Sequence, residues 1–309
     1  MGTINKQKWS IKVSLTPHCN FRCFYCNDYS VNPRKIGENI SINETEDILR
    51  AAYENGIKKV QWTGGECTII DLPRIAKATK RIGFLEQSLV TNGMLLHPML
   101  DNLIESGLNR ANISLDTLSR DKFKEITGVD GIQQVKKSIE YAAEKLELTK
   151  INVAVMRKNV NEISDLAKYA GMLGSKVILK LHELWKFLPS EEYAAQHVPL
   201  NEIMKCLTDI GDLNLQEGIR GNNPTVKYYK IGEGDQIVGV SGIPVHFMCG
   251  GPNCSKIRVY ANGRTCDGKH LAGADYKTKR ELVNEIIERR SSSLIDRDIG
   301  YVEKPIPEH

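Results

Sequence analysis

Short apolar runs of strand character alternate with longer segments of helical period from Ile11 to about Leu181, and this alternation leaves few folds open. The strand candidates are Ile11–Leu15, Lys59–Trp62, Ser88–Val90, Ala111–Leu115, Asn152–Val155 and Val177–Leu181. Between them, Thr45–Tyr53, Leu72–Ile82, Met99–Glu105, Ile132–Glu144 and Ile163–Met172 carry apolar residues at helical spacing. Ser41-Ile-Asn-Glu44 reads as a capping box opening the first helix, and Gly56, Gly107 and Gly174 stand where helices should stop. Six β/α repeats predict an α/β fold with a parallel sheet. Periodicity alone does not separate an open barrel from a doubly wound sheet. The pattern changes near Leu188-Pro-Ser190: a helix candidate (Asn201–Asp209) is followed by a Gly/Asn/Pro-rich stretch and short strands at Thr225–Ile231, Gln236–Val240 and Lys256–Tyr260. We expect a core domain over 1–189, a smaller α+β domain over 190–275, and a terminal helix (Thr278–Arg290) with a loosely held tail within 276–309.

Directly after the first strand comes Thr16-Pro-His-Cys-Asn-Phe-Arg-Cys-Phe-Tyr-Cys26, in which Cys19, Cys23 and Cys26 are separated by three and then two residues. Three thiolates on one short loop can wrap three irons of a [4Fe–4S] cluster and leave the fourth iron open to a small molecule. Zinc is the alternative, but structural zinc takes four ligands, usually in Cys-x2-Cys pairs, and the spacing of His18 does not suit a fourth. A disulfide fits less well, because the chain opens Met-Gly-Thr-Ile-Asn-Lys-Gln-Lys without an apolar signal core. Eight cysteines in such a chain point to a reducing cytoplasm and to metal or redox use. No apolar stretch approaches the roughly 20 residues of a membrane span. The net charge of +4 is spread along the chain, which argues against a nucleic-acid polymer as partner and permits an anionic small molecule.

The aromatic Tyr25 before the last cysteine and the strand-like Trp9–Leu15 leading in complete a pattern that resembles the radical S-adenosylmethionine (SAM) superfamily. The resemblance implies an open six-repeat (β/α)6 partial barrel, a [4Fe–4S] cluster on Cys19, Cys23 and Cys26, and SAM on the open iron. Thr63-Gly-Gly-Glu66 follows the second strand; alone it is turn chemistry, with two glycines that admit a close backbone approach and a Glu66 that can meet an ammonium group. The superfamily uses this motif to hold the SAM amino group, although Cys67 replaces the usual proline. Thr91-Asn92-Gly93 and Ser114-Leu-Asp-Thr117 close the third and fourth strands, where α/β folds gather ligand groups. The expected SAM contacts are therefore Tyr25, Gly64, Gly65, Glu66, Thr91, Asn92, Ser114 and Lys150.

A narrower resemblance, to the GTP 3′,8-cyclase family of molybdenum-cofactor biosynthesis, rests on Gly107–Leu118, Phe123–Gly128 and Lys150–Met156 and covers most of residues 9 to 270. It implies a second, auxiliary [4Fe–4S] cluster on Cys249, Cys254 and Cys266, in the C-terminal domain. Those cysteines stand four and eleven residues apart, whereas the first two of the family are usually two apart; zinc with His246 or His270 is the alternative. Nucleotide-holding arginines of the family fall on Lys12, Lys256 and Arg258, and a lysine lacks the bidentate fork that suits phosphate. His182 is either an acid/base near substrate or a packed histidine. The cyclases end in a Gly-Gly tail, whereas this chain reads Lys304-Pro-Ile-Pro-Glu-His309. The expectation is a radical SAM enzyme, paralogous to the cyclases, that takes hydrogen from a small polar or nucleotide-like substrate between two clusters. A reductant protein such as flavodoxin or ferredoxin would supply electrons. Authentic GTP cyclisation, peptide modification (with no room before residue 9 for a peptide-recognition domain) and a non-catalytic zinc protein are the alternatives.

Overall fold

The computed structural model describes residues 9–26, 38–184, 190–219, 226–242, 256–261, 263, 265 and 276–295. Strands and helices alternate through the first part of the chain as expected: β1 (Ser10–Ser14), α1 (Ile42–Glu54), β2 (Lys59–Thr63), α2 (Leu72–Ile82), β3 (Glu86–Thr91), α3 (Leu100–Glu105), β4 (Leu108–Ser114), α4 (Arg120–Thr127), α5 (Ile132–Lys145), β5 (Leu148–Val155), α6 (Ile163–Met172) and β6 (Val177–Glu183). The chain continues through α7 (Ser190–Gln196), α8 (Leu200–Thr208), β7 (Leu213–Gln216), β8 (Lys227–Ile231), β9 (Ile237–Ser241), β10 (Lys256–Val259) and α9 (Tyr276–Ile295). The Ser41 hydroxyl accepts the Glu44 N–H at 3.2 Å while the Glu44 carboxylate accepts the Ser41 N–H at 3.1 Å, so the capping box forms.

The ten strands among the described residues lie in one sheet, ordered β10-β1-β2-β3-β4-β5-β6-β9-β8-β7. Strands β1 to β6 run parallel, β10 joins them parallel beside β1 and β9 parallel beside β6, and only β8 and β7 are antiparallel. The expected division at residue 189 is thus not a division of the sheet: later strands extend both edges of the first. They cover backbone edges that β1 and β6, each with fully buried apolar residues, would otherwise leave open.

The sheet is strongly curled without closing. Lys180 on β6 and Lys256 on β10 are six strand spacings apart, roughly 28 Å if the sheet were flat. The charge of Lys256 nevertheless depresses the pKa of Lys180, so the two strands face each other across an open barrel. Alternation then sorts the side chains. Ile11, Val13, Trp62, Leu89, Ile113, Val153 and Leu179 turn to the helices and are fully buried there, each contributing about 1.5–3 kcal/mol. Lys12, Gln61, Arg110, Lys150 and Lys180 alternate with them and face the inside.

Helix α9 packs on α1, burying Val283, Ile286 and Ile287 and pairing Arg280 with Glu54 at 3.0 Å. It runs to Ile295, beyond the expected end at Arg290 and into the expected tail. Among the described residues no helix is long and apolar enough to cross a membrane.

Candidate active site

The Cys19–Cys26 loop leaves the C-terminal end of β1 and is held from two sides. The Gly65 N–H donates to Thr16 O at 2.7 Å and the Glu66 N–H to His18 O at 2.8 Å. On the other side the Arg22 N–H donates to Thr127 O at 2.8 Å and the Phe24 N–H to Ile126 O at 3.1 Å, while Phe21 meets Phe123 edge to face. A Cβ on Gly64 would stand 2.6 Å from Thr16 O, and one on Gly65 2.0 Å from His18 O. The close approach that the two glycines permit is therefore made to the cysteine loop itself.

Glu66 sits at the centre of a hydrogen-bond network. Its side chain is 1% exposed. Oε1 accepts the Thr68 N–H at 3.0 Å, the Thr68 hydroxyl at 2.7 Å and the Thr91 hydroxyl at 2.6 Å, and Oε2 accepts the Asn92 N–H at 2.6 Å. Burial raises its pKa and these bonds oppose the rise. Glu66 thus fastens the Gly-Gly turn to the end of β3. Asn92 passes the connection on: its amide donates to Asn20 Oδ1 at 2.7 Å and lies 3.7 Å from Cys19 Sγ, which also receives the Phe21 N–H at 3.3 Å. Glu66→Ala would strand two buried N–H groups and is expected to lower stability by about 2–4 kcal/mol, read as a lower urea midpoint at constant slope. An unchanged midpoint would contradict this role.

Cys19 and Cys23 are partly buried and Cys26 is exposed. Burial pushes the Cys19 thiol up to about 11, with the Phe21 N–H opposing and the charges of Glu66 and Cys26 adding to the rise. Burial, then Asp116, Cys26 and Cys19, raises Cys23 as well. The three thiols therefore sense one another, although among the described residues no three such side chains close on a single ion. Soft sulfur donors that hold their protons until a cation displaces them fit an iron–sulfur cluster.

Tyr25 is braced inward. Its hydroxyl donates to Asp116 Oδ2 at 2.5 Å, and Asp116 Oδ1 accepts the Ala154 N–H at 2.8 Å. Burial pushes Asp116 up to about 6 against the pull of both bonds. This tie from the loop to β4 and β5 was not foreseen; the partners lie far apart in sequence. Thr91 and Asn92 end up beside the loop through Glu66, and Ser114 closes β4 level with Asn152.

Below the loop the interior is cationic. Lys12 on β1 stands level with Arg258 on β10. Arg110 pairs with Glu86 at 2.7 Å. Burial and the charges of Lys256 and Arg110 push Lys180 down to about 8. His182 is pushed down to about 3 by burial, then Lys180 and Lys12, so it is a neutral imidazole facing cations. Lys150, expected at the SAM carboxylate, lies one inward-facing pair deeper than Ser114 and Asn152, 2% exposed, with Nζ 3.1 Å from the Tyr228 hydroxyl. Arg110, Lys180 and Tyr228 were not anticipated; the alternation Leu179-Lys-Leu-His182 within a strand is the signal that marks Lys180 as interior. Cys249, Cys254 and Cys266 lie outside the described residues.

A family model described as "Radical SAM superfamily" matches residues 13–170. A protein of Methanococcus maripaludis, "Probable GTP 3′,8-cyclase", is 34% identical over 260 residues, 82% of this chain and 82% of that protein. One of the same name from Methanothermobacter marburgensis is 31% identical over 298 residues, 91% and 94% of the two chains. Among solved structures, Streptococcus suis SuiB bound to S-adenosylmethionine superposes with a TM-score of 0.60 at 17% identity, over 83% of this chain and 59% of that one. That likeness concerns the fold, and this chain spans about three fifths of the SuiB length. The radical SAM fold implies a [4Fe–4S] cluster and SAM, for which the cysteine loop is a fitting donor set. By the match across its core and by relatives that align over most of their length, the chain belongs to the radical SAM superfamily and, within it, to the family of the GTP 3′,8-cyclase-like proteins.

Proposed function

We propose that this chain is a radical SAM enzyme that takes a hydrogen atom from a small polyanionic, nucleotide-like molecule held inside the barrel. The observation that carries the proposal is the gathering of Lys12, Arg110, Lys150, Lys180, Lys256 and Arg258 on the inner face of the sheet below the cysteine loop. Cations crowded into a low-dielectric interior repel one another, and an anionic ligand reverses the sign of that energy. When bound, a cluster on Cys19, Cys23 and Cys26 together with SAM supplies a 5′-deoxyadenosyl radical and methionine.

The chain's own residues do the rest. Glu66, Thr91 and Asn92 hold the Gly64-Gly65 turn and Cys19 in place; Asp116 fixes Tyr25; the interior cations orient the anion. Gly64, Gly65, Ser114 and Asn92 stand at the strand ends where SAM would lie. A second cluster on Cys249, Cys254 and Cys266 is part of the proposal. Its support is that Cys249 and Cys254 precede β10 in the stretch that resembles the cyclase family, and that Lys256 starts that strand at the end of the sheet opposite the Cys19–Cys26 loop. Substrate in the cationic interior would then lie between the two. A one-electron donor such as flavodoxin or ferredoxin completes the scheme.

Lysine at positions 12 and 256, where the resembled family holds nucleotide with arginine, favours a retuned paralogue over authentic cyclisation of GTP. The names of the aligned relatives favour the second reading. Anaerobically reconstituted protein with dithionite, SAM and GTP separates them. We expect 5′-deoxyadenosine to form at a rate GTP does not change; a GTP-dependent rise together with a cyclised guanine product would establish the cyclase instead.

A further inference from the structure

Tyr228 has no part in the roles above. It stands on β8, the strand that turns back antiparallel beside β9, and is 1% exposed. Its register partner is Gly239 on β9, which is in turn level with Lys180 on β6. A Cβ on Gly239 would lie 2.8 Å from Tyr228 Cε1, so the missing side chain lets the ring lie across β9 toward the interior. There the ring packs with Leu148, Ile178 and Val226, and its hydroxyl meets Lys150 Nζ at 3.1 Å. A phenol both donates and accepts, so this contact persists whether Lys150 is an ammonium or a neutral amine. Around Lys150 stand Glu86 on β3, Arg110 on β4, Lys180 on β6 and Lys256 on β10, with Tyr228 from β8 and His182 beyond Lys180. Glu86 is itself engaged by Arg110.

We propose that Lys150 and Tyr228 form a proton-exchanging floor of the anion site, at which Lys150 takes up a proton from solvent when a polyanion enters the barrel. The inference rests on the reading of the interior as an anion site and adds to it a proton linkage and a role for Tyr228. In the empty barrel, burial and then the charges of Lys180, Arg110 and Lys256 hold Lys150 down to about 7. An anion among the same cations favours the ammonium and raises that value. Between the empty and the occupied pKa, binding consumes a proton. Affinity therefore falls as pH rises through that window, by up to about tenfold per pH unit for one proton. Lys180, held at about 8, adds a smaller share in the same direction. The consequence is selectivity, because a singly charged ligand raises Lys150 less than a polyanion and gains less from the uptake.

The test is calorimetry of the anaerobically reconstituted full chain with trimetaphosphate, whose charge is constant over this range. It is run at about pH 8.5 in two buffers of different ionisation enthalpy. The expected result is uptake of about half a proton or more per ligand, with affinity about fivefold or more weaker than at about pH 7.5. Lys150→Arg, charged throughout, should bind with less than half that uptake. Tyr228→Phe removes the acceptor of the ammonium; it should weaken binding about threefold at about pH 8.5 and leave it unchanged at about pH 6. Binding without proton uptake, or equal uptake by the wild type and Lys150→Arg, overturns the proton linkage and leaves the anion site standing. Absence of trimetaphosphate binding at every pH overturns both.

Discussion

Cys23→Ala is expected to bring 5′-deoxyadenosine formation down to background and to lower the iron and sulfide content of the reconstituted protein. Cys23 lies between Arg22 and Phe24, whose N–H groups donate to Thr127 O and Ile126 O at the end of α4. These bonds are made by backbone, so the loop keeps its path when the thiol is removed. Two cysteines cannot hold a cluster that three hold with one iron open. Loss of activity should thus come without loss of fold, and a urea midpoint close to wild type is the control. Continued 5′-deoxyadenosine formation at the wild-type rate would mean that the loop is not the site.

Gly65→Ala is expected to have a larger effect than alanine at the other described glycines. The new Cβ would fall 2.0 Å from His18 O, a backbone atom that cannot swing aside as a side chain can. Either the β2 end or the cysteine loop must move, and the Gly65–Thr16 and Glu66–His18 bonds are strained together. Overpacking of this kind costs about 1–3 kcal/mol and occasionally more. Because the displaced segment is the loop that carries Cys19, cluster loading should fall with stability. Gly174→Ala is the comparison: nothing stands within 4 Å of its Cβ, and only the left-handed backbone at φ 96° opposes the change. It should cost about 1 kcal/mol and leave loading unchanged. Equal effects of the two substitutions would remove the proposed reason for the Gly-Gly motif.

Much of the fold was legible because the apolar residues repeat at the periods of their elements. The six strands and five of the helices of the core, and the capping box at Ser41, follow from local pattern. Helix α4 escaped because five of its eight residues are charged, which leaves Phe123 and Ile126 as its only large apolar side chains. The placement of β9 and β10 on opposite edges of one sheet escaped for another reason, since strand order is decided by contacts far apart in sequence. In the site, the types of residue were legible and their directions were not. Nothing local tells that Glu66 is held by Thr68, Thr91 and Asn92, since the partners at the end of β3 lie 25 and 26 residues away. Lys150 is similar: its distance from the barrel mouth depends on register with Asn112, and its contact with Tyr228 on a glycine in a neighbouring strand.

The proposed function depends on Cys19, Cys23 and Cys26 holding a cluster with one iron open to SAM. Its most direct test is the electron paramagnetic resonance spectrum of anaerobically reconstituted, dithionite-reduced protein in which Cys249, Cys254 and Cys266 are replaced by serine. The expected spectrum is a reduced [4Fe–4S] signal whose shape changes when SAM is added. A signal that SAM leaves unaltered, or a protein that takes up zinc and no iron, would contradict it.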